Sequence, residues 1–529
     1  MTKGVRPNEF KTDKTEMMKT RFHILSYLAA MTVVCMTAAC SSEEEVEEVS
    51  PTPQPQTFTV TASQETEDSN GAPTRVGFDS NGAGFWQKGD VIGIWSKDEG
   101  KFKPFTIASG EGTGTATFTG TIVGELEYNA AAIYPYSDKD YIDYDNQLLN
   151  INYPDTYTYT SVDKEVSAVG GNSFNMPMYG LVEGTGTTDR TINFGNFGGV
   201  IVLVFDKIPQ EGTVTVTAES AICGDAQIVD KEGVDKVLKY VSTDDSWKTV
   251  TFNYSGAEKM QQGVFYLPLI AGTYTLTVKI DGKNQTSDGT GEIQYVNTTT
   301  FNEFTLEQGH LKKRSITTDY DIYVNGHKFI DLGLESGLLW AETNVGAKLP
   351  ADCGNYYAWG ETTPLTTASE SSYKWGTSDA YTKYNAIDGK TELELEDDAV
   401  YKNWGAPCRM PTYQECYDIM DERNTNTTMT WDNQQNTESS RESGITVKSQ
   451  KNGMSIFVPT CGMYNSKGRE YTTYITIWTK SLDENSLKQG RATEVYNFTS
   501  SHYGTYPVFG NQITTYRYYG MPVRAVVQP

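Results

Sequence analysis

The sequence predicts a mostly β protein built from several modules, and three observations predict it. Short runs of alternating apolar and polar residues recur along the chain, as in Thr57-Phe58-Thr59-Val60-Thr61 and Val91-Ile92-Gly93-Ile94-Trp95, with glycine and proline turns between them. Almost no helical periodicity interrupts them, and 529 residues with 48 glycines exceed one core but suit two or three β-rich units. Six of the nine tryptophans and 19 of the 34 tyrosines lie beyond Asp319, so a separate unit is expected from Tyr320 onward.

The leader comes first in the chain. Lys19 and Arg21 precede an apolar segment over 24–39, shorter than the roughly 20 residues a membrane-spanning helix needs. A basic start, a short apolar core and small residues at its end mark an export signal, here 1–39, whose working start is Met17 or Met18 because 1–16 are polar. Met36-Thr37-Ala38-Ala39-Cys40 resembles a bacterial lipoprotein signal, which implies that Cys40 becomes the lipidated first residue. Ser41, Ser42 and the acidic run Glu43-Glu44-Glu45-Val46-Glu47-Glu48 resemble the surface-export signal of Bacteroidetes lipoproteins, implying a lipid anchor on the outer membrane and exposure at the cell surface. A Pro/Thr/Gln stretch completes a tether over 40–56, expected to be extended.

Charge narrows the partners. Without residues 1–39 the chain loses six basic and three acidic residues, leaving 37 Lys+Arg against 65 Asp+Glu, a net charge near −28. Such a surface repels nucleic acid and anionic headgroups, so neither is a partner and any membrane contact runs through the lipid. Beyond Cys40 the cysteines are Cys223, Cys353, Cys408, Cys416 and Cys461, with no CxxC pair; export permits a bridge within the last four, but spacing does not pair them. His310, His327 and His502 are too scattered for a histidine metal site or a Ser/His/Asp triad. No cofactor, metal or catalytic residue is expected.

Further strands are expected at 115–121, 131–134, 213–217, 249–252, 264–267 and 273–280. The unbroken run Val200-Ile201-Val202-Leu203-Val204-Phe205 reads as a strand buried on both faces. This spacing predicts antiparallel sandwiches, and the length of 57–317 suggests two, divided between Glu183 and Arg190 into 57–187 and 188–318. An ordered series of words runs through them. Phe85-Trp86-Gln87-Lys88-Gly89-Asp90, Ile133-Tyr134-Pro135-Tyr136, Met176-Pro177-Met178-Tyr179-Gly180, Phe197-Gly198-Gly199-Val200, Phe265-Tyr266-Leu267-Pro268-Leu269 and Gly272-Thr273-Tyr274 resemble the fimbrillin (Mfa-like) family of Bacteroidetes. The resemblance implies two transthyretin-like β-sandwich subdomains. It also implies polymerisation by strand exchange, in which a protease cuts after a basic residue, the first strand leaves, and a neighbouring subunit's strand fills the groove. An unpaired edge beside an apolar groove is an association site in any sheet protein. Arg75, in Ala72-Pro73-Thr74-Arg75-Val76, is the candidate processing site because Gly71 and Pro73 keep the segment out of regular pairing.

From Tyr320 the pattern opens with an alternating stretch over 323–332 and contains one convincing helix, where Thr412 caps and Glu415 closes a capping box ahead of Cys416, Ile419 and Met420 on one face. Ile456-Phe457-Val458 reads as a core strand. Asp331-Leu332-Gly333-Leu334, Gly337-Leu338-Leu339-Trp340-Ala341, Tyr356-Tyr357-Ala358-Trp359-Gly360-Glu361, Asn403-Trp404-Gly405, Arg409-Met410-Pro411-Thr412, Trp478-Thr479 and Val523-Arg524-Ala525-Val526 resemble the Fibrobacter succinogenes major paralogous domain. That resemblance implies an α+β C-type-lectin-like domain over 320–529, and no chemistry by itself. The cysteine pair of formylglycine-generating enzymes has no counterpart near the end, and the E-P-N or Q-P-D calcium loop of many lectins is missing. Asp397 and Asp398 are read as partners of a helix N-terminus rather than as an acid/base pair, and Trp340, Trp359, Trp404 and Trp478 as core.

The binding surface is expected on two irregular stretches, 464–474 and 498–519, whose Tyr, Ser, Gly, Thr and Asn content matches that of antibody loops. Tyr464, Tyr471, Tyr474, Tyr503, Tyr506 and Tyr516 are the candidate ligand-binding residues. The sequence thus points to a fimbrial subunit at the cell surface, a tip adhesin that accepts a partner's strand and presents a lectin-like head to a glycan or a host protein. A free-standing glycan-binding lipoprotein is the alternative.

Overall fold

The computed structural model describes residues 53–64, 86–143, 148–165, 177–231, 235–241, 244–420, 426–435, 441–483, 489–500, 504–509 and 513–529. The expected signal, Cys40, most of the tether, Arg75 and Tyr503 lie outside the described residues, and so does the side chain of Tyr506. The described chain is mostly β, with several sheets and few helices.

The alternating runs become strands β1 (Pro55–Gln64), β2 (Val91–Ser96), β3 (Lys101–Ser109), β4 (Thr115–Val123) and β5 (Ala131–Tyr134). The chain then leaves through β6 (Tyr141–Asp143), β7 (Leu148–Tyr153) and β8 (Thr156–Tyr159), and returns with β9 (Met178–Glu183) and β10 (Arg190–Asn196). Seven of these close a barrel in the order β1-β10-β9-β5-β2-β3-β4. Its interior is filled by every second residue: Phe58, Val60 and Ala62 from β1, Ile92 and Ile94 from β2, Ile192 and Phe194 from β10. Trp86 sits fully buried among them, edge-on to Phe118 at 4.9 Å, Tyr134 at 5.4 Å and Phe194 at 5.8 Å.

Two expectations are corrected here. The antiparallel sandwich over 57–187 is a closed barrel, with β1 parallel to β10. The division at 187/188 falls inside the hairpin that joins β9 to β10, where Thr191 pairs with Glu183. A glycine-rich polar turn and a linker have the same composition; here Arg190 distinguishes them, donating to the carbonyls of Gly184, Thr185 and Gly186 at 3.1, 3.2 and 2.7 Å. The tether also ends earlier than expected, since β1 begins at Pro55.

The middle of the chain supplies β11 (Gly198–Ile208), β12 (Glu211–Ala218), β13 (Gly224–Lys231), β14 (Asp235–Tyr240), β15 (Thr249–Tyr254), β16 (Gln261–Ile270), β17 (Gly272–Gln285), β18 (Glu292–Leu306) and β19 (Leu311–Ile316). The unbroken run in β11 is the central strand of β16-β11-β19 and is buried on both faces, as its composition predicts. Ile201, Leu203 and Phe205 meet Val214, Val216, Leu276 and Val278 in the largest core cluster. The sheet β14-β13-β7-β6 covers the barrel's outside, where Ile151, Tyr153 and Leu238 join Trp95, Ile133 and Tyr179.

The last part begins with β20 (Asp321–Val324), β21 (His327–Asp331) and β22 (Leu339–Asn344). The alternating stretch over 323–332 thus falls in the β20–β21 hairpin. Its turn is Asn325-Gly326, with φ +50° and +80°, a pair of left-handed residues that suits the twist of a two-residue hairpin. β20 pairs with β18 through Gln294, Tyr295 and Val296, so the sheet does not stop where the composition changes. Nine strands run in the order Arg524–Val527, β22, β21, β20, β18, β17, β12, β15, β8.

This sheet is buried on both faces beyond β20. Phe329, Leu339, Ala341, Ala525 and Val527 face one core, which includes Ile293 and Tyr295 of β18, while Ile330, Trp340 and Val526 face another. Helix α1 (Ala399–Trp404) covers the first and α2 (Tyr413–Met420) the second. In α2 the expected capping box forms, with Glu415 N donating to Thr412 Oγ1 at 3.1 Å and Thr412 N to Glu415 Oε2 at 2.8 Å. Cys416, Ile419 and Met420 are its buried face.

Candidate functional site

A groove of about 470 Å³ opens between two hydrogen-bonded walls in the last quarter of the chain. One wall is the hairpin Met463–Asn465 / Gly468–Glu470, and the loop 471–474 that follows it. The other is the turn after Ile513–Tyr516, where Tyr519 N donates to Tyr516 O at 3.0 Å. Tyr464 and Gly520 exchange both backbone hydrogen bonds at 2.8 Å and so fasten the walls together.

The hairpin is fixed at its base by a disulfide between Cys353 and Cys461, with Cα atoms 5.4 Å apart across 108 residues of chain. The Cys461 carbonyl accepts from Tyr356 Oη at 2.7 Å and from Arg469 Nε at 2.8 Å. Gly462, at φ +60°, then turns the chain; a Cβ there would lie 2.2 Å from the Glu470 carbonyl oxygen, so only glycine fits. Gly462 N donates to Tyr474 O at 2.9 Å and its carbonyl accepts from the buried Thr476 hydroxyl. At the tip, Lys467 N donates to Asn465 Oδ1 at 2.8 Å, and Asn465 Nδ2 to Glu470 Oε2 at 2.5 Å.

Tyr471 is the unusual residue of this loop. Its backbone is left-handed at φ +58° and its side chain is 56% exposed, so a bulky aromatic is held at a strained position with its ring at the groove. Tyr474 meets it edge-on at 5.8 Å. Across the groove Tyr519 stands edge-on to Tyr516 at 5.7 Å and to Tyr518 at 5.0 Å.

Of the six candidate ligand-binding tyrosines, Tyr471 and Tyr474 line the groove and Tyr516, 42% exposed, stands beside it. Tyr464 does not line it. It alternates with Met463 and Asn465 along its strand and meets Tyr356 at 6.0 Å instead. The two stretches expected to be irregular are largely paired: 463–470 is a hairpin, and Gln489–Ser500, Gly504–Phe509 and Ile513–Tyr516 are strands. Their threonines and aromatics suit an exposed pleated surface as well as a loop. Tyr519 and Thr515 fall within the expected stretch 498–519 but were not among the six candidates, and Thr476 lies just past the stretch 464–474; the Tyr518-Tyr519-Gly520 turn was the available signal.

The carboxylates singled out in the sequence have structural partners. Asp398 caps α1, accepting from Val400 N at 2.8 Å, Tyr401 N at 3.0 Å and Met410 N at 2.8 Å. Burial raises its pKa against those three bonds. Asp397 is nearly buried and accepts from Lys383 Nζ at 2.5 Å, Tyr384 Oη at 2.7 Å and Lys374 Nζ at 3.1 Å. Burial alone would raise it, but these donors prevail and hold it below the ordinary carboxylate range. Cys461 is bridged, and Cys223, Cys408 and Cys416 are buried thiols, each pushed up by burial. Trp340, Trp359 and Trp478 are core residues, whereas Trp404 is half-buried and stacks on His327 at 3.7 Å.

The fold and the groove define a mostly β, multi-sheet protein with a tyrosine-walled, polar-edged concavity near its C-terminus. No protein-family model matches the chain, and no curated protein matches it. Among solved structures it is similar to a candidate cell-adhesion protein from Bacteroides ovatus, at 12% identity over 50% of this chain and 95% of that one, TM-score 0.27. A candidate cell-adhesion protein from Bacteroides fragilis gives 9% identity over 51% and 97%, TM-score 0.27. A fimbrial protein from Bacteroides ovatus gives 10% identity over 89% and 99%, TM-score 0.21. Scores this low establish no shared fold, and function is argued from the residues.

Proposed function

We propose that this chain is a cell-surface fimbrial subunit, exported and lipidated at Cys40, that exchanges its first strand for a partner's and presents the 320–529 region as a lectin-like adhesive head. In this reading the barrel is the strand-accepting fimbrillin-type module, the β11–β19 region the second, and catalysis plays no part. The supporting observation is the placement of β1. It fills a two-sided slot, antiparallel to β4 from Pro55↔Val123 to Ser63↔Thr115 and parallel to β10 from Val60↔Arg190 to Gln64↔Phe194. Phe58, Val60 and Ala62 are buried in the barrel, whereas Thr57 and Thr59 face outward beside Thr121 and Thr119. Without β1, two strand edges would flank an apolar slot, and burying Phe58 and Val60 alone is worth about 1.5–3 kcal/mol each. A cut after Arg75 leaves β1 held by these contacts only.

The test is the N-terminal residue of the protein taken from the cell surface. A chain starting at Val76 in fimbriae, with Arg75→Ala blocking both trimming and incorporation, is the expected result. Arg75→Ala incorporated at the parent level would overturn strand exchange at this site. A chain that starts at lipidated Cys40 and is never found in fimbriae would instead identify an anchored glycan-binding lipoprotein with β1 retained.

A further inference from the structure

We infer that the groove between 463–476 and 515–519 binds an uncharged pyranoside, one or two sugar rings stacked on Tyr471 and Tyr519 with their hydroxyls held at the polar edge. The inference rests on reading this region as a binding head. The volume of about 470 Å³ lies within the range of small-molecule sites.

The lining has two chemistries. Tyr471, Tyr474 and Tyr519 offer rings whose negative faces attract the C–H-rich face of a pyranose. Asn465, Ser466, Lys467, Glu470 and Thr515 offer hydroxyl, amide, amine and carboxylate groups. Sugar hydroxyls both donate and accept, so they suit this mixed set, which contains donors and acceptors side by side. A proline-rich peptide also stacks on tyrosine, but with few donors of its own it would leave much of the edge unpaired, and that is costly once water is displaced.

Charge selects against anionic ligands and gives cations no special place in the lining. The lining holds one cation, Lys467, and one carboxylate, Glu470, so it has no net sign, while the chain as a whole carries −25 and repels anions. The site is also built in advance of any ligand. The Cys353–Cys461 bridge, the Arg469 hydrogen bond and the Gly462 turn fix the hairpin, and the left-handed Tyr471 is held with its ring out. An aromatic ring fixed before binding gives up little entropy on contact.

Saturation-transfer NMR on the full chain purified from cells, with the methyl pyranosides of galactose, glucose, mannose and N-acetylglucosamine as probes, tests this. Saturation of the ring C–H protons of at least one glycoside is expected. Tyr471→Phe should retain it. Tyr471→Gly should weaken it about tenfold or more without lowering the melting temperature, because glycine accepts the +58° backbone freely. The inference is overturned if no glycoside responds, if a decaproline peptide binds at the groove in their place, or if Tyr471→Gly binds like the parent. Attachment of whole cells separates this from the head reading. Cells carrying Tyr471→Gly that attach normally while the purified parent binds a glycoside would retain the site and remove its adhesive role; attachment lost in Tyr471→Gly cells, with no glycoside bound by the parent, would retain the head and remove the sugar.

Discussion

At the scale of single residues, the barrel's outer cover contains a carboxylate set to respond to pH. Asp140 is buried and pushed up to about 7, chiefly by burial; the Asn152 N–H at 2.8 Å works against this, and nearby Asp225 and Asp138 add to it. Its unfolded value is about 3.9. Between those limits the folded chain keeps a proton that the unfolded chain releases, so this group's contribution falls as pH rises through the window and is fully present only below it. Asp140→Asn retains an oxygen for the Asn152 N–H and removes the charge. It should match the parent near pH 4 and be more stable by about 4 kcal/mol at pH 8. Urea midpoints at both values check this, and an equal difference at the two would mean that Asp140 does not titrate there. Asp397 has the opposite sign: its pKa is lowered, so its contribution is present above the ordinary carboxylate range and lost as pH falls. The capping roles of Asp398, Thr412 and Glu415 were legible because they depend on neighbours within three residues. Asp397 was not, because Lys374, 23 residues away, and Lys383 reach it only in the fold.

At the scale of elements, the hairpin at the groove depends on a bridge that no spacing rule could select from four cysteines. Closing 108 residues of chain removes much unfolded-state freedom, and a loop of that length corresponds to about 5 kcal/mol in the chain-entropy estimate. The double variant Cys353→Ser/Cys461→Ser should therefore melt well below the parent, and reductant should lower the parent's melting temperature but not the variant's. Equal melting with and without reductant would mean that the bridge carries no stability. Strands were legible wherever alternation was strong, as in β1, β2, β4 and β11. In the β20–β21 hairpin the core-facing residues pass from Ile322 and Val324 to Phe329, and that odd step across Asn325-Gly326 is the local mark of the turn. Around the groove the sequence mixes tyrosine and threonine with serine, glycine and asparagine and shows no strict alternation, a composition that loops and exposed strands share.

At the scale of the whole molecule, the nine-stranded sheet joins the middle of the chain to its end. Ile293 and Tyr295 belong to β18 yet pack in the core with Phe329, Leu339 and Trp478. Tyr320 Oη donates to the Lys207 carbonyl at 2.7 Å, and Thr318 N and Oγ1 donate to Asp206 at 2.9 and 2.7 Å, fastening the crossing point. Loss of a buried aromatic costs about 3–5 kcal/mol. Tyr295→Ala should consequently speed amide exchange in β17 and in β21 together; faster exchange on one side of β18 alone would mean that the two sides open independently.

The sequence by itself determined the β class, the strands with strong alternation, the capped helix α2 and most of the tyrosines around the groove. Those features rest on local rules, in which a residue's role depends on neighbours a few positions away. Only the tertiary structure decided that the first sheet closes into a barrel, that a sheet runs unbroken past residue 320, that Cys353 meets Cys461, and that Tyr519 rather than Tyr464 faces Tyr471 across a groove. Each of these is a contact between segments far apart in the chain, set by which buried faces fit one another, and composition and period do not encode that fit.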